Sequence, residues 1–121
     1  MHTVGVDIVE IERVQAAVQR HGERFLRRVY TDREIAFCRG RVPELAVRFA
    51  AKEAVMKALG TGVRGVGWRD IEVLPQRGGK PLVFLHDRAQ ARAEFLGLQD
   101  FAISLTHSRD FAIASVVGGG G

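Results

Sequence analysis

Hydrophobic and polar positions alternate at the start of the chain and then change to a helical spacing. Val4, Val6 and Ile8 occupy every second position, which predicts a strand from Val4 to Ile11. Apolar residues then recur every three or four positions until Gly22, which predicts a helix over this stretch. Residues 24–30 follow neither period clearly.

Three more helices are predicted from capping signals and composition. Residues 31–34 have the form of a capping box, with a threonine first and a glutamate fourth, and predict a short helix to about Arg39. The longest predicted helix runs from Glu44 to Leu59, is rich in alanine and stops at Gly60. A last helix is predicted over 88–96, with Asp87 as its cap.

The remaining apolar runs predict four strands in two adjacent pairs. Residues 68–74 and 82–85 are joined by a hairpin turn, and residues 101–106 and 111–117 by a second turn. Because alternating βαβ units are missing, we predict an α+β fold in which a small antiparallel sheet packs with one long helix and several shorter ones. One domain is expected over residues 1–117, and the glycine tail, 118–121, is expected to be disordered.

Composition narrows the class of protein. The 121 residues are 46% hydrophobic and 26% charged, which is typical of a globular domain. No apolar run approaches the roughly 20 residues that span a bilayer, and no secretory signal is visible at the N-terminus. Cys38 is the only cysteine, so an intrachain disulfide and a cysteine-based zinc site are excluded, and a cytoplasmic location is expected.

Positive charge is concentrated in one third of the chain. Nine arginines and only four acidic residues lie between positions 13 and 48, although the whole chain carries a net charge of only +4. Such a segment attracts an anionic partner, which from charge alone is a nucleic acid, a membrane surface, a phosphorylated metabolite or an acidic protein. A solvated helical face without a partner is the alternative.

Two groups of charged residues are candidates for chemistry. Asp7 lies within an apolar strand, where a carboxylate must be capped, paired or bound to a metal. Arg48, Lys52, Glu53 and Lys57 lie on the long helix, and two lysines and an arginine beside a glutamate suit a polyphosphate with a bridging cation. Carboxylates such as those of positions 7 and 53 prefer Mg²⁺ or Mn²⁺. An ordinary surface pair of residues 53 and 57 is the alternative.

A third candidate follows the predicted strand that ends near residue 106. His107 stands next to Ser108, but the surrounding sequence lacks a nucleophile elbow and a convincing third member of a triad. The stretch from Gly60 to Gly62 lacks the spacing of a phosphate-binding P-loop. The arginine-rich third carries no nucleic-acid-binding motif and few interleaved aromatic residues.

Seven segments together resemble holo-acyl-carrier-protein synthases, the short bacterial branch of the 4′-phosphopantetheinyl transferases. They are GVDIVEI (5–11), YTDREIAFC (30–38), RFAAKEA (48–54), KALGTG (57–62), GKP (79–81), SLTH (104–107) and AIA (112–114). The resemblance extends over essentially the whole chain, in the family's order and at its length. It implies transfer of 4′-phosphopantetheine from coenzyme A to a serine of apo-acyl carrier protein, with release of adenosine 3′,5′-bisphosphate. It also implies a role in fatty acid biosynthesis.

The resemblance also implies roles for individual residues. Asp7 and Glu53 match the family's magnesium ligands, and the catalytic set would be these two with Lys57, which matches the lysine that contacts the coenzyme A phosphates. The serine would lose its proton to Glu53 directly or to a metal-bound water that Glu53 orients. Arg48 and His107 match other residues of the coenzyme A cleft, where the histidine has a catalytic, a binding or only a structural role.

Further expectations concern the binding partners. Gly60 and Gly62 are expected at the coenzyme A site. The carrier protein is expected to dock its acidic helix on a basic surface, which would comprise Arg13, Arg20, Arg24, Arg27 and Arg28. The short family members form trimers with active sites between subunits, and neither nucleic acid nor a membrane is expected as a partner. Two alternatives are a binding module for nucleic acid or anionic lipid, which would need neither carboxylate, and the broad-specificity transferases, which are about twice as long.

Overall fold

The computed structural model describes residues 1–120. Strand β1 (His2–Glu10) leads directly into helix α1 (Ile11–His21), which is followed by α2 (Glu23–Val29), α3 (Asp32–Cys38) and the long α4 (Val42–Leu59). A 3-10 turn (Trp68–Asp70) precedes β2 (Ile71–Pro75) and β3 (Pro81–Leu85). Helix α5 (Asp87–Leu96), β4 (Asp100–His107) and β5 (Phe111–Gly119) complete the order.

Two antiparallel sheets form around α4. The larger sheet has the order β1–β5–β4, and β2 and β3 form a separate hairpin. The predicted α+β fold class is confirmed, and the stretch at 24–30 that had no clear period is helix α2. Helix α4 carries twelve buried residues, because its alanines let neighbouring elements approach from several sides.

Glycine allows β1 to lie directly against α4. A Cβ atom at Gly5 would overlap the carbonyl oxygen of Ala54, so only a residue without a side chain permits this approach. Thr3 extends the contact by donating its hydroxyl hydrogen to the Ala58 carbonyl at 2.7 Å. Because side chains alternate along a strand, Asp7 faces the helix together with Gly5.

The apolar residues that predicted β1 lie on its other face. Val4, Val6 and Ile8 are 65%, 55% and 58% exposed, and Val117 on the neighbouring β5 is 44% exposed. The strand is therefore confirmed as an element, while its apolar side faces away from α4. An exposed apolar sheet face of this kind is typical of a protein–protein contact.

The C-terminal glycines differ from the expectation. Gly118 and Gly119 belong to β5, where Gly119 pairs with His2 and with Asp100, so the prediction of a disordered tail is wrong for these two residues. The physical reason is pairing with strands on both sides, and glycine suits this place because a Cβ at Gly118 would lie 2.8 Å from the Phe101 ring. Gly120 donates its N–H to the Met1 carbonyl, and residue 121 lies outside the described residues. No helix in residues 1–120 is long and apolar enough to cross a membrane.

Candidate active site

Asp7, Lys57 and Glu53 meet where β1 crosses the last turns of α4. The Lys57 ammonium group donates to Asp7 Oδ1 at 2.9 Å and to the Val6 carbonyl at 3.1 Å. The Asp7 side chain is only 10% exposed, whereas that of Lys57 is 57% exposed. Glu53 lies one helical turn before Lys57 and is half-buried. The structure therefore brings together the three residues predicted to be catalytic.

The hydrogen-bonding capacity of Asp7 is only partly satisfied. Asp7 Oδ2 is buried and has no hydrogen-bond donor among the described residues. Burial, followed by the negative charge of Asp7, raises the pKa of Glu53 above its ordinary value. An acid with a raised pKa beside an oxygen without a donor indicates a place where positive charge is in demand.

These residues fit a divalent cation that binds few protein ligands. Carboxylate oxygens are the ligands that Mg²⁺ prefers, and Asp7 Oδ2 is an oxygen that nothing else in the described chain occupies. Residues 1–120 contain no cluster of three or more His, Cys, Asp or Glu side chains suited to a metal. Two carboxylates with water and substrate oxygens completing the shell match Mg²⁺ and Mn²⁺, and they do not match zinc.

Arg48 and His107 lie at a second position, on another side of α4. They line a cavity of about 210 Å³ together with Pro81 at the start of β3. The Arg48 side chain is 3% exposed, donates from Nε to the Val73 carbonyl at 2.9 Å and pairs with Glu44 at 3.0 Å. His107 is exposed at the end of β4.

Helix geometry explains why the two positions are separate. At 3.6 residues per turn, Arg48 and Glu53 point about 140° apart, whereas Glu53 and Lys57 differ by only about 40°. One chain therefore does not bring Arg48 and His107 to the carboxylate pair of Asp7 and Glu53. The candidate cleft residues form two half-sites, which we call the carboxylate half-site (Asp7, Glu53, Lys57) and the arginine half-site (Arg48, His107).

Lys52 belongs to neither half-site, which corrects its place among the candidate phosphate ligands. It is fully buried, and its ammonium group donates to Glu34 Oε1 at 2.7 Å and to the carbonyls of Trp68 and Ile71. Burial lowers the pKa of Lys52, and Glu34 opposes that shift. Lys52 is thus a buried core residue that pairs with Glu34. The sequence indicates Glu34 only as part of the capping box, not as the partner of a buried lysine.

Gly60 and Gly62 follow the carboxylate half-site. Gly60 adopts a left-handed conformation, with φ of 72°, and ends α4. Its N–H donates to the Lys57 carbonyl and that of Thr61 to the Met56 carbonyl, which together form a Schellman motif. The main chain near Gly62 is free of side chains that would shield it from a ligand, because a Cβ at that position would meet nothing within 4 Å.

The arginines predicted to bind the carrier protein are all exposed on α1 and α2. A groove on α1 is lined by Arg13, Arg20 and His21, and Arg27 forms an exposed ion pair with Glu23 at 3.0 Å. Arg13 lies near enough to Glu53 to favour its charged form. The basic surface therefore borders the carboxylate half-site.

Comparisons with known proteins show the family of the chain. The model of the 4′-phosphopantetheinyl transferase superfamily matches residues 3–116. The chain is 50% identical to a holo-[acyl-carrier-protein] synthase of Herpetosiphon aurantiacus, with 99% of this chain and all of that protein aligned. It is 46% identical to the synthase of Gloeobacter violaceus, with 96% of this chain and 91% of that protein covered.

Solved structures give the same result. The fold matches that of a Helicobacter pylori holo-[acyl-carrier-protein] synthase in complex with coenzyme A, with a TM-score of 0.88 and 32% identity. The match covers 96% of this chain and 99% of that chain. It also matches the synthase of Neisseria meningitidis, with a TM-score of 0.89, 34% identity and 97% of both chains covered. The chain therefore belongs to the 4′-phosphopantetheinyl transferase superfamily and, within it, to the holo-[acyl-carrier-protein] synthases.

Proposed function

We propose that this enzyme transfers 4′-phosphopantetheine from coenzyme A to a serine hydroxyl of apo-acyl carrier protein, using Asp7 and Glu53 as ligands of Mg²⁺, with Mn²⁺ as an alternative. The serine oxygen forms a bond to the phosphorus that carries pantetheine. The bond from that phosphorus to adenosine 3′,5′-bisphosphate breaks, and the serine proton passes to a base. The observation that carries the proposal is the pairing of Asp7 Oδ2, buried without a donor, with the half-buried Glu53.

The carboxylate half-site supplies the groups that this reaction needs. A divalent cation held there would neutralise negative charge on the pyrophosphate as the phosphorus–oxygen bond breaks. Glu53 lies beside Asp7 and is half-buried, so its carboxylate is placed to accept a proton, either from the serine or through a water molecule. Lys57 is exposed enough to reach a phosphate while it stays one turn from Glu53.

We further propose that the complete site forms in a homotrimer, between neighbouring subunits. The separation of the arginine half-site from the carboxylate half-site supports this proposal, because one chain does not bring both to one ligand. The exposed valines and isoleucine of β1, with Val117 of β5, offer an apolar face for the contact between subunits. In that assembly Arg48 and His107 of one subunit would face the coenzyme A bound by its neighbour, together with Gly60 and Gly62.

The basic surface on α1 and α2 is proposed to receive the acidic carrier protein. Its arginines are exposed and one of them, Arg13, lies near Glu53, so a helix docked there would present its serine to the carboxylate half-site. Association driven by opposite charges weakens as salt rises, and kcat/KM for the carrier protein is expected to fall with ionic strength. The product, holo-acyl carrier protein, carries acyl chains, so we place the enzyme in fatty acid biosynthesis. We also propose a cytoplasmic location, which fits the single cysteine of the chain.

Intact-protein mass spectrometry of apo-acyl carrier protein tests the reaction. Incubation with this enzyme, coenzyme A and Mg²⁺ should add one phosphopantetheine, and a chelator should prevent the addition. The isosteric variants Asp7→Asn and Glu53→Gln should remove activity while they remain folded by circular dichroism. No mass gain with the folded wild-type enzyme would refute the proposed function, and full activity in chelator would refute the role of the metal.

A further inference from the structure

Helix α4 is followed by a segment that has few side chains with which to pack. We call residues 60–67 the glycine loop, since four of its eight residues are glycines. A segment of this composition has much conformational freedom to lose when it binds a ligand. Val66 is buried in the core, and the N–H groups of Gly65 and Val66 donate to the Gly62 carbonyl, so these contacts order the interior of the loop and leave its two ends to other groups.

The start of the loop is held by an arginine of α5. The Schellman motif at Gly60 satisfies two of the last carbonyls of α4. The Leu59 carbonyl takes no part in that motif. Arg92 donates from Nε to the Leu59 carbonyl at 2.9 Å. A guanidinium group at the C-terminus of a helix also interacts favourably with the helix dipole. Arg92 is half-buried, so this contact is shielded in part from solvent.

The end of the loop is held by a second arginine, one helical turn earlier. Arg88 donates to the Arg64 carbonyl at 3.2 Å, and its Nε lies 3.5 Å from Asp70 Oδ2. The same Asp70 oxygen accepts the N–H of Gly67 at 2.9 Å. Arg88 thus fixes the last part of the loop directly and through Asp70.

One face of one helix therefore holds both ends of the glycine loop. Arg88 and Arg92 are four positions apart and lie on the same side of α5, whose Ala89 and Ala93 are buried in the core. The Arg88 guanidinium group lies close to the end of the loop, since a Cβ at Gly67 would be 3.1 Å from it. We propose that Arg88 and Arg92 are positioning residues that hold the glycine loop in the conformation that binds the phosphates of coenzyme A.

This proposal rests on the proposed function, and its test separates the two. Arg88→Met and Arg92→Met keep the aliphatic stem and lose the donors. Each is expected to raise KM for coenzyme A about tenfold, with kcat and KM for the carrier protein changed less than about threefold, because the loop binds coenzyme A before and during the transfer. Arg92→Lys, which restores a cationic donor at the end of α4, should recover most of the loss.

Hydrogen exchange provides a readout that does not depend on activity. The backbone amides of residues 60–67 should exchange faster in both methionine variants than in the wild type, without coenzyme A present. Arg69→Met is the matched control, because Arg69 contacts the exposed Asp32 at 3.3 Å and leaves the loop ends alone. It should change neither the exchange nor KM.

The outcomes are distinct. An unchanged KM for coenzyme A in folded Arg88→Met and Arg92→Met, or unchanged exchange in the loop, would overturn the positioning role. If Arg92→Met does not fold, Arg88→Met decides, since Arg88 does not contact the end of α4. Failure of the wild-type enzyme to bind coenzyme A at all would instead refute the proposed function, and the exchange result would then show only what holds the loop.

Discussion

Replacing Lys52 tests whether this lysine stabilises the fold or binds phosphate. In the structure its ammonium group lies in the core, where it neutralises Glu34 and donates to two carbonyls. Lys52→Met removes all of these contacts and leaves the Glu34 carboxylate buried with only the N–H groups of Thr31 and Val73 as donors. We expect a loss of about 3–5 kcal/mol in the free energy of unfolding, which is typical when one partner of a buried ion pair is removed.

This loss is large for a chain of this size. For 121 residues, an unfolding entropy of about 2.1 cal/mol/K per residue means that each kcal/mol shifts the melting temperature by about 4 °C. Lys52→Met should therefore melt about 12–20 °C below the wild type. Thermal unfolding followed by circular dichroism measures the shift, at equal protein concentrations because association also stabilises the folded state.

Two further measurements test the ion pair between Lys52 and Glu34. Lys52→Met/Glu34→Leu should lose less stability than the two single variants added together, because each removes the other's unpaired charge. Below its melting temperature, Lys52→Met should keep KM for coenzyme A within about threefold of the wild type. A melting temperature that stays within about 3 °C of the wild type, combined with a tenfold increase in that KM, would refute the reasoning.

Three other perturbations give independent tests. Gly5→Ala should destabilise the fold by about 1–3 kcal/mol or more, since the added Cβ overlaps α4, whereas Gly62→Ala, with open space around it, should leave the urea unfolding midpoint nearly unchanged. Val6→Lys should convert the proposed trimer to monomers in sedimentation experiments, and Phe95→Lys, at an exposed position on α5, should not. Burial alone would raise the pKa of Glu72, but hydrogen bonds from two neighbours outweigh it and the pKa is lowered. Glu72 therefore contributes stability that is complete above pH 4.5 and is lost as the pH falls below it, so acid should destabilise the wild type more than Glu72→Gln, measured as urea midpoints against pH.

The sequence predicts the elements, but the direction in which β1 faces comes only from the structure. The capping box at Thr31 and the alanine-rich segment before Gly60 are local signals, and both helices form as expected. The face of β1 is different, because its apolar residues point outward and Asp7 points toward α4. Binary patterning assigns the apolar side of a strand to the core. It fails here because the inner side is used for Gly5 and for the carboxylate of the site.

The same limit applies to the charged residues of α4. Lys52 and Glu53 are adjacent in sequence, and composition gives no reason to bury one of them fully and leave the other half-buried. The difference comes from Glu34, which is 18 positions away in sequence and meets only the first of the two. A resemblance to a family assigns roles to positions, but only the fold shows that Arg48 also holds the backbone of β2.

Helix α4 combines a satisfied charge on one side with an unsatisfied one on another, and this contrast explains how the site is tolerated. The Lys52 ammonium group has an acceptor for each of its three hydrogens, whereas Asp7 Oδ2 has no donor and lies beside the acidic Glu53. Like charges placed together destabilise a fold, and the packing of the alanines and of Gly5 against this helix offsets that cost. A cation bound by the folded state alone would remove the repulsion and add stability. The carboxylate half-site is thus a local weakness in the fold, and the Asp7 oxygen that lacks a donor is where the proposed cation would bind.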